Sequence, residues 1–493
     1  MASRTLKPAI LLAACCASAS GCASSRTSGG PGNYPDVVSY HSARERLVRN
    51  EQARRLSAAL VLSPDEEAAS RRLAGLRRAE EERVAAYFPP AHSFLLDRTK
   101  RVIDESPLLE VMRRMPKGGI LHLHGAAGGD FRWLVSHATY RPDCYVFLGE
   151  AGPVVRGTLR FFPQPPEGDW RAVVALRSAA PDPRAFDEEL YRSITLGEED
   201  RESPDIWQEF GNCFRRAWGL FDDEGIRNGH WARMLDRLID ENVQYVEFRG
   251  WPQNESVVRE ARLRDPEFAV KFIPAARRSS DRDAVRGVLE RALAERERDP
   301  SRVAGFDLVE EEDRTHGTLF FAEDILAARR EAARRDLALP LFLHSGETSR
   351  ARSDNLYDAF LLGAPRIGHG LALVRHPLLM EMARERGVAV EVCPISNQVL
   401  GYVDDLRSHP AVAYINAGIP VVLSPDDPGL TRHTLSHDFY EAFLAWELDL
   451  RDLKQLALSS LVHSAMGPEE RTRARASWER RWAGFVRWLN ESR

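Results

Sequence analysis

The chain has 493 residues, of which 43% are hydrophobic and 29% charged, and its formal net charge is −5. These values describe a soluble globular protein with one large domain plus additions, or two or three domains. They provide no basic field that would favour nucleic acid.

The N-terminus reads as a targeting segment. A short basic region ending at Lys7 precedes the apolar run 8–14, and small residues then lead to Cys22. The apolar part is too short to span a bilayer, as expected of a signal peptide over 1–22. Cys22 behind small residues resembles a bacterial lipoprotein box, which predicts an extracytoplasmic, lipid-anchored protein. Cys15 fits the same box with a shorter apolar region, and simple cleavage and release is the alternative. A flexible tether follows over 23–39. Of six cysteines, Cys144, Cys213 and Cys393 lie beyond the signal region. They are too few for a disulfide framework, and sequence does not choose a single bridge among them.

Residues 40–112 are expected to form a helical arm. Ser63-Pro64-Asp65-Glu66 has the pattern of a capping box with proline in the first turn. Leu56 and Leu60 before that junction, and Leu73 and Leu76 after it, have helical spacing. The Arg pairs at 71–72 and 77–78 read as a solvated helix face. From Lys117 onward, short apolar runs alternate with helical segments. The runs fall at 119–124, 243–249, 270–275, 303–309, 339–344, 366–369, 388–394 and 420–424. Eight strands alternating with helices predict an α/β fold, a (β/α)8 TIM barrel over 113–493 with its active site at the C-terminal strand ends. The gap after the first strand predicts an insertion at about 140–205. Helices close the chain over 437–491, with Trp478, Trp482 and Trp488 packed.

Four strand ends carry ligand chemistry: His122-Leu-His124, His344-Ser-Gly-Glu347, Gly368-His369-Gly370 and Ser424-Pro-Asp426-Asp427. Strand alternation turns His122 and His124 to one face. Together with His344 and Asp426 they offer three nitrogens and an oxygen, a shell suited to zinc. A zinc ion in such a shell lowers the pKa of bound water towards about 7. Glu347 is then the candidate proton donor to a substrate ring nitrogen. His369 either accepts a proton from water or orients it, and Asp427 is a candidate substrate contact. His376, His409, His433 and His437 lie off the ligand strand ends and read as structural.

The residues 115–124, 303–309, 344–347, 366–370, 391–400 and 424–428 together resemble the adenosine deaminase-related growth factors, the secreted branch of the adenosine deaminases. That resemblance runs from the helical arm to the C-terminus. It implies one zinc on His122, His124, His344 and Asp426, with Glu347 as the donor to purine N1. It further implies that His369 positions water, Asp427 meets purine N7, Trp207 lines the pocket, and the arm forms a homodimer. Three positions depart from the branch: Gly125 where it has aspartate, Glu310 where it has glycine, and Arg277 where it has histidine. All three belong to the apparatus that reads sugar and purine. The expected activity is therefore hydrolytic deamination of adenosine or a related 6-aminopurine nucleoside. The alternatives are an aminohydrolase of this fold for another extracytoplasmic substrate, or a non-enzymatic surface module.

Overall fold

A computed structural model describes residues 34–85, 97–148, 157–350 and 353–492; the signal segment, including Cys15 and Cys22, lies outside them. The helix Val37–Gln52 opens the described chain and buries none of its residues. Residues from Gln52 onward form a separate compact unit.

Within that unit the helix Pro64–Arg83 begins as its sequence dictates. Ser63 and Glu66 form the reciprocal capping box, and Pro64 stands in the first turn. Leu73 is fully buried on its inner face. Trp482 Nε1 donates to Glu66 Oε1 at 2.7 Å, tying this helix to the C-terminal helix Pro468–Glu491. Leu56 and Leu60 depart from expectation. The preceding helix stops at Gln52; Leu56 lies in a turn and Leu60 in the irregular chain that follows it. The Leu56 N–H donates at 2.8 Å to the carbonyl of Ile415, so a tertiary contact replaces the helical bond.

All eight expected runs form parallel strands. They are β1 (Gly118–His124), β5 (Val243–Arg249), β6 (Ala269–Ile273) continued by β7 (Ala275–Arg277), β8 (Asp307–Val309), β9 (Phe342–Ser345), β10 (Arg366–His369), β11 (Ala389–Val392) and β12 (Val421–Leu423). The break between β6 and β7 falls at Pro274, which has no N–H for the ladder. Three ladders, β1-β5-β6, β7-β8 and β9-β10-β11-β12, are joined into a ring by the parallel bridges Phe272–Val303, Phe306–Leu341 and Leu123–Asp426. The last bridge closes the ring beside His122, His124 and Asp426. His124 N–H donates to the Asp426 carbonyl at 3.0 Å, and Asp426 N–H to the His122 carbonyl at 3.3 Å.

Both faces of such strands are covered, so β5, β9, β10 and β11 are buried along their whole length. After β1 the chain builds an antiparallel sheet of β2 (Cys144–Phe147), β3 (Thr158–Phe161) and β4 (Trp170–Ala172), then the helices Val173–Ala179, Pro183–Ser193 and Ile206–Ala217. Cys144, Cys213 and Cys393 are all buried. Trp478 and Trp482 are buried, and Trp488 is partly so.

Candidate active site and its metal-ligand cluster

The C-terminal ends of β1, β9 and β10 and the segment after β12 bring the expected residues into one cluster. Its geometry begins with backbone constraints. Gly368 must lack a side chain, because a Cβ there would sit 3.0 Å from the His122 ring and 3.1 Å from His344 Cα. His369 and Asp426 both have left-handed backbone, at φ 59° and 64°. Non-glycine residues are rarely held there, and such strain concentrates at functional sites.

The Nε2 atoms of His122 and His124 lie 3.1 and 3.3 Å from Nε2 of His344. Both also approach Asp426 Oδ1, at 3.3 and 3.2 Å. Four ligands about 2.0–2.1 Å from a tetrahedral zinc are separated by about 3.3–3.4 Å. The four separations between the His122 and His124 nitrogens on one side and His344 and Asp426 on the other are thus close to those around a tetrahedral ion. Their protonation agrees with this. His122 Nδ1 is 2.9 Å from Glu391 Oε2, and His344 Nδ1 is 2.7 Å from Asp307 Oδ2. Ionised carboxylates only accept, so each Nδ1 carries the proton and each Nε2 turns a bare lone pair inward. Asp426 Oδ1 is buried and receives no hydrogen bond. Lone pairs crowded around an orphaned carboxylate oxygen fit a cation. Two groups have all their donor atoms within 4.8 Å of one another: His122, His344, His369 and Asp426, and His124, Asp426 and Asp427. His369 Nε2 is farther out, however, at 3.9 Å from the other Asp426 oxygen.

Glu347 is 2% exposed and faces His369, with Oε1 3.6 Å from Nε2. Glu312 accepts the N–H groups of Gly346 and Glu347 at 3.1 and 2.8 Å and thereby fixes this turn. Burial, followed by the charges of Asp426, Glu312 and Asp427, pushes the Glu347 carboxyl well above the usual range. Asp427 is raised in the same direction by burial and by Asp426. Burial opposes ionisation of Asp426 too, but His369, His122 and His124 outweigh it and hold that carboxyl well below its ordinary value. Their surroundings thus favour the ionised form at Asp426 and the protonated form at Glu347 and Asp427, a division that suits ligand and donor roles. Trp207, on the helix Ile206–Ala217, donates from Nε1 to the Tyr402 hydroxyl at 2.8 Å. Burial, then the Glu347 charge, raises the Tyr402 phenol.

The three departures also find their places. A Cβ on Gly125 would lie 2.7 Å from two ring atoms of Trp231, so the indole fills the space an aspartate would need. Glu310 keeps a glycine-like φ of 92°. Its Oε2 accepts from Ser279 N at 2.9 Å and Oγ at 2.5 Å, and its Oε1 lies 3.7 Å from Arg277 Nε. Two of the altered positions thus pair with each other.

Sequence reasoning missed the charged frame beneath the cluster. Arg249 spans Asp307 at 3.1 Å and Glu391 at 2.5 Å, and Arg366 spans Glu391 at 2.6 Å and Glu247. Removing one partner of such a fully buried network is costly. Its signal was available: single charges inside apolar runs, as in Val-Glu247-Phe-Arg249 and Val-Glu391-Val, need buried partners. Of the histidines read as structural, His376, His433 and His437 pair with Tyr357, Asp438 and Asp104. His409 instead reaches toward the site through Asn397, at 3.2 Å.

An eight-stranded barrel with histidines and carboxylates gathered at its strand ends has the architecture of barrel enzymes that carry out hydrolytic deamination. Solved structures share the fold: an adenine deaminase from Arthrobacter aurescens has a TM-score of 0.54 at 20% identity, over 76% of this chain and 99% of its own. An amidohydrolase from Burkholderia, with bound Zn, has a TM-score of 0.56 at 19% identity over 77% and 94%. The family models for "Adenosine deaminase" and "Adenosine/AMP deaminase N-terminal" match residues 254–477 and 32–112. Adenosine deaminase 2 of Sus scrofa is 34% identical over 91% of this chain and 96% of its own length. Adenosine deaminase 2 of Homo sapiens is 32% identical over 92% and 94%, and that of Dictyostelium discoideum 31% over 92% and 88%. The chain belongs to the adenosine deaminase family and is a hydrolytic deaminase.

Proposed function

We propose that the protein is a zinc-dependent aminohydrolase of adenosine or a related 6-aminopurine nucleoside, releasing ammonia and the inosine-type product. The observation that carries this reading is the approach of His122 and His124 Nε2 to His344 Nε2 and Asp426 Oδ1, at 3.1–3.3 Å, beside a buried carboxyl group whose pKa is pushed up. His122, His124, His344 and Asp426 would hold the ion. When bound, zinc is a Lewis acid that makes water nucleophilic at neutral pH. Glu347, protonated, donates to the ring nitrogen next to the carbon under attack, and so makes that carbon more electrophilic. His369 orients the nucleophile. Asp427, also protonated, donates to a second ring nitrogen such as N7, and Trp207 with Tyr402 walls the base.

A second reading keeps the chemistry and changes the substrate. It is favoured by Trp231 in the space beside Gly125 and by the Arg277–Glu310 pair, because a lost polar contact to a substrate hydroxyl costs orders of magnitude in selectivity. Ammonia release from adenosine, 2′-deoxyadenosine and adenine in parallel, with zinc supplied, decides between the two. Turnover of adenosine supports the first reading. Silence on all three with zinc bound supports the second.

An extracytoplasmic, Cys22-anchored location rests on the N-terminal signal pattern. Among the described residues no helix is long and apolar enough to cross a membrane. A homodimer through the N-terminal arm is supported by the helix Val37–Gln52, which buries none of its residues. Sedimentation of the full chain and of a chain lacking residues 34–52 tests it.

A further inference from the structure

The orientation of His369 is set by atoms well outside the cluster. The helix Ala411–Ala417 begins with an N–H that has no partner within the helix. Ala411 donates that N–H to His409 Nδ1 at 3.1 Å. A backbone amide can only donate, so Nδ1 of His409 is bare. His409 is 2% exposed, and burial pushes its imidazole down to about 3, so it is neutral and its single proton sits on Nε2. Nε2 lies 3.2 Å from Asn397 Oδ1, which accepts. The Asn397 amide, itself fully buried, therefore cannot be turned around, and its Nδ2 faces His369 Nδ1 at 3.1 Å. An NH2 group donates, which leaves His369 Nδ1 bare and puts the ring proton on Nε2. Nε2 faces the Glu347 and Asp426 carboxyl groups, with Oε1 and Oδ2 at 3.6 and 3.9 Å.

We infer that Ala411 N–H, His409 and Asn397 form a relay that locks His369 as an Nε2–H donor facing the reaction site, with His409 and Asn397 as positioning residues. Two consequences follow. A protonated ring nitrogen has no lone pair for a metal, so His369 is not a ligand despite its proximity, and His124 completes the set. His369 also cannot take a proton from water through Nε2. It directs the nucleophile's lone pairs by donating to them. The inference rests on the proposed function for its catalytic meaning, but the tautomer itself does not depend on it.

The test uses the full chain carrying 15N-labelled histidine, with the His369 signals identified by their loss in His369→Gln. Wild type is expected to show a protonated Nε2 and a bare Nδ1. Asn397→Asp offers only acceptors at this position, so Nδ1 should become protonated. His409→Leu frees the Asn397 amide to turn. Its kcat should fall about 10–100-fold, a fraction of the 10²–10⁴ that positioned proton-transfer groups contribute, with KM and bound zinc unchanged. His409→Gln can still accept from Ala411 and donate to Asn397, and should recover kcat to within a few-fold. A protonated Nδ1 in wild type, or wild-type kcat in His409→Leu, would overturn the relay. Absence of aminopurine deamination by wild type, with the Nε2–H signal present, would instead remove the proposed function and leave the relay standing.

Discussion

Asp307 is the carboxylate on which the cluster most depends, and Asp307→Asn changes one atom. Asp307 Oδ2 receives His344 Nδ1 at 2.7 Å and Arg249 Nε at 3.1 Å, while Oδ1 receives the backbone N–H of His344 at 2.9 Å and of Leu308 at 2.6 Å. Burial resists its ionisation, but His344 and Arg249 hold it well below the ordinary carboxyl range. All four contacts need acceptors. Oδ1 has two donors from the backbone, so an asparagine must place its NH2 on the Oδ2 side, against His344 Nδ1 and Arg249. His344 then has to bare Nδ1 and move its proton to Nε2, where it points at His122 and His124. Two costs result. Loss of a carboxylate partner behind a ligating histidine weakens metal binding about 10–100-fold, or about 1.4–2.7 kcal/mol. Arg249, fully buried, keeps the Leu121 carbonyl but only one carboxylate, Glu391, and breaking a buried pair costs about 3–5 kcal/mol of stability. The assay is competition for zinc against a chelator of known affinity, paired with urea unfolding of the apo-protein. Wild-type zinc affinity in a folded Asp307→Asn protein would refute the assignment of His344 as a ligand oriented by this carboxylate.

Glu347→Gln should retain zinc and fold while losing about 10²–10⁴-fold in kcat, read as ammonia release; retained turnover would exclude Glu347 as the donor. Gly125→Ala should cost about 1–3 kcal/mol, because the backbone there (φ −53°, ψ −55°) suits any residue and only the Trp231 ring, 2.7 Å from the new Cβ, opposes it. In a double-mutant cycle with Trp231→Leu, the penalty of the alanine should largely disappear, and additive effects would contradict the steric account. His409 and His230 are buried neutral, with values pushed down by burial to about 3 and about 4 from an ordinary value of about 6.5. Unfolding lets each take up a proton, so their contribution is fully present above about pH 6.5 and is lost as pH falls toward 4. At pH 5 each lowers stability by about 2 kcal/mol. Urea midpoints measured from pH 7.5 to 5 should fall accordingly, and His409→Gln should flatten the slope.

The sequence alone determined the fold and the cluster for a local reason. Strand alternation puts His122 and His124 on one face, and barrel geometry gathers strand ends, so short motifs sufficed to predict which side chains come together there. Even the Ser63 capping box is a property of four consecutive residues. What the tertiary structure decided involves partners far apart in the chain: Glu391 meets His122 across 269 positions, and Asp307 meets His344 across 37. No periodicity encodes which buried charge answers which. The same holds for Trp231 filling the space at Gly125 and for Arg277 pairing with Glu310, where altered residues are explained only by their neighbours. His409 shows the limit most clearly. From sequence it is a histidine before a proline; in space it is the residue through which a helix amide chooses the nitrogen of His369 that carries the proton.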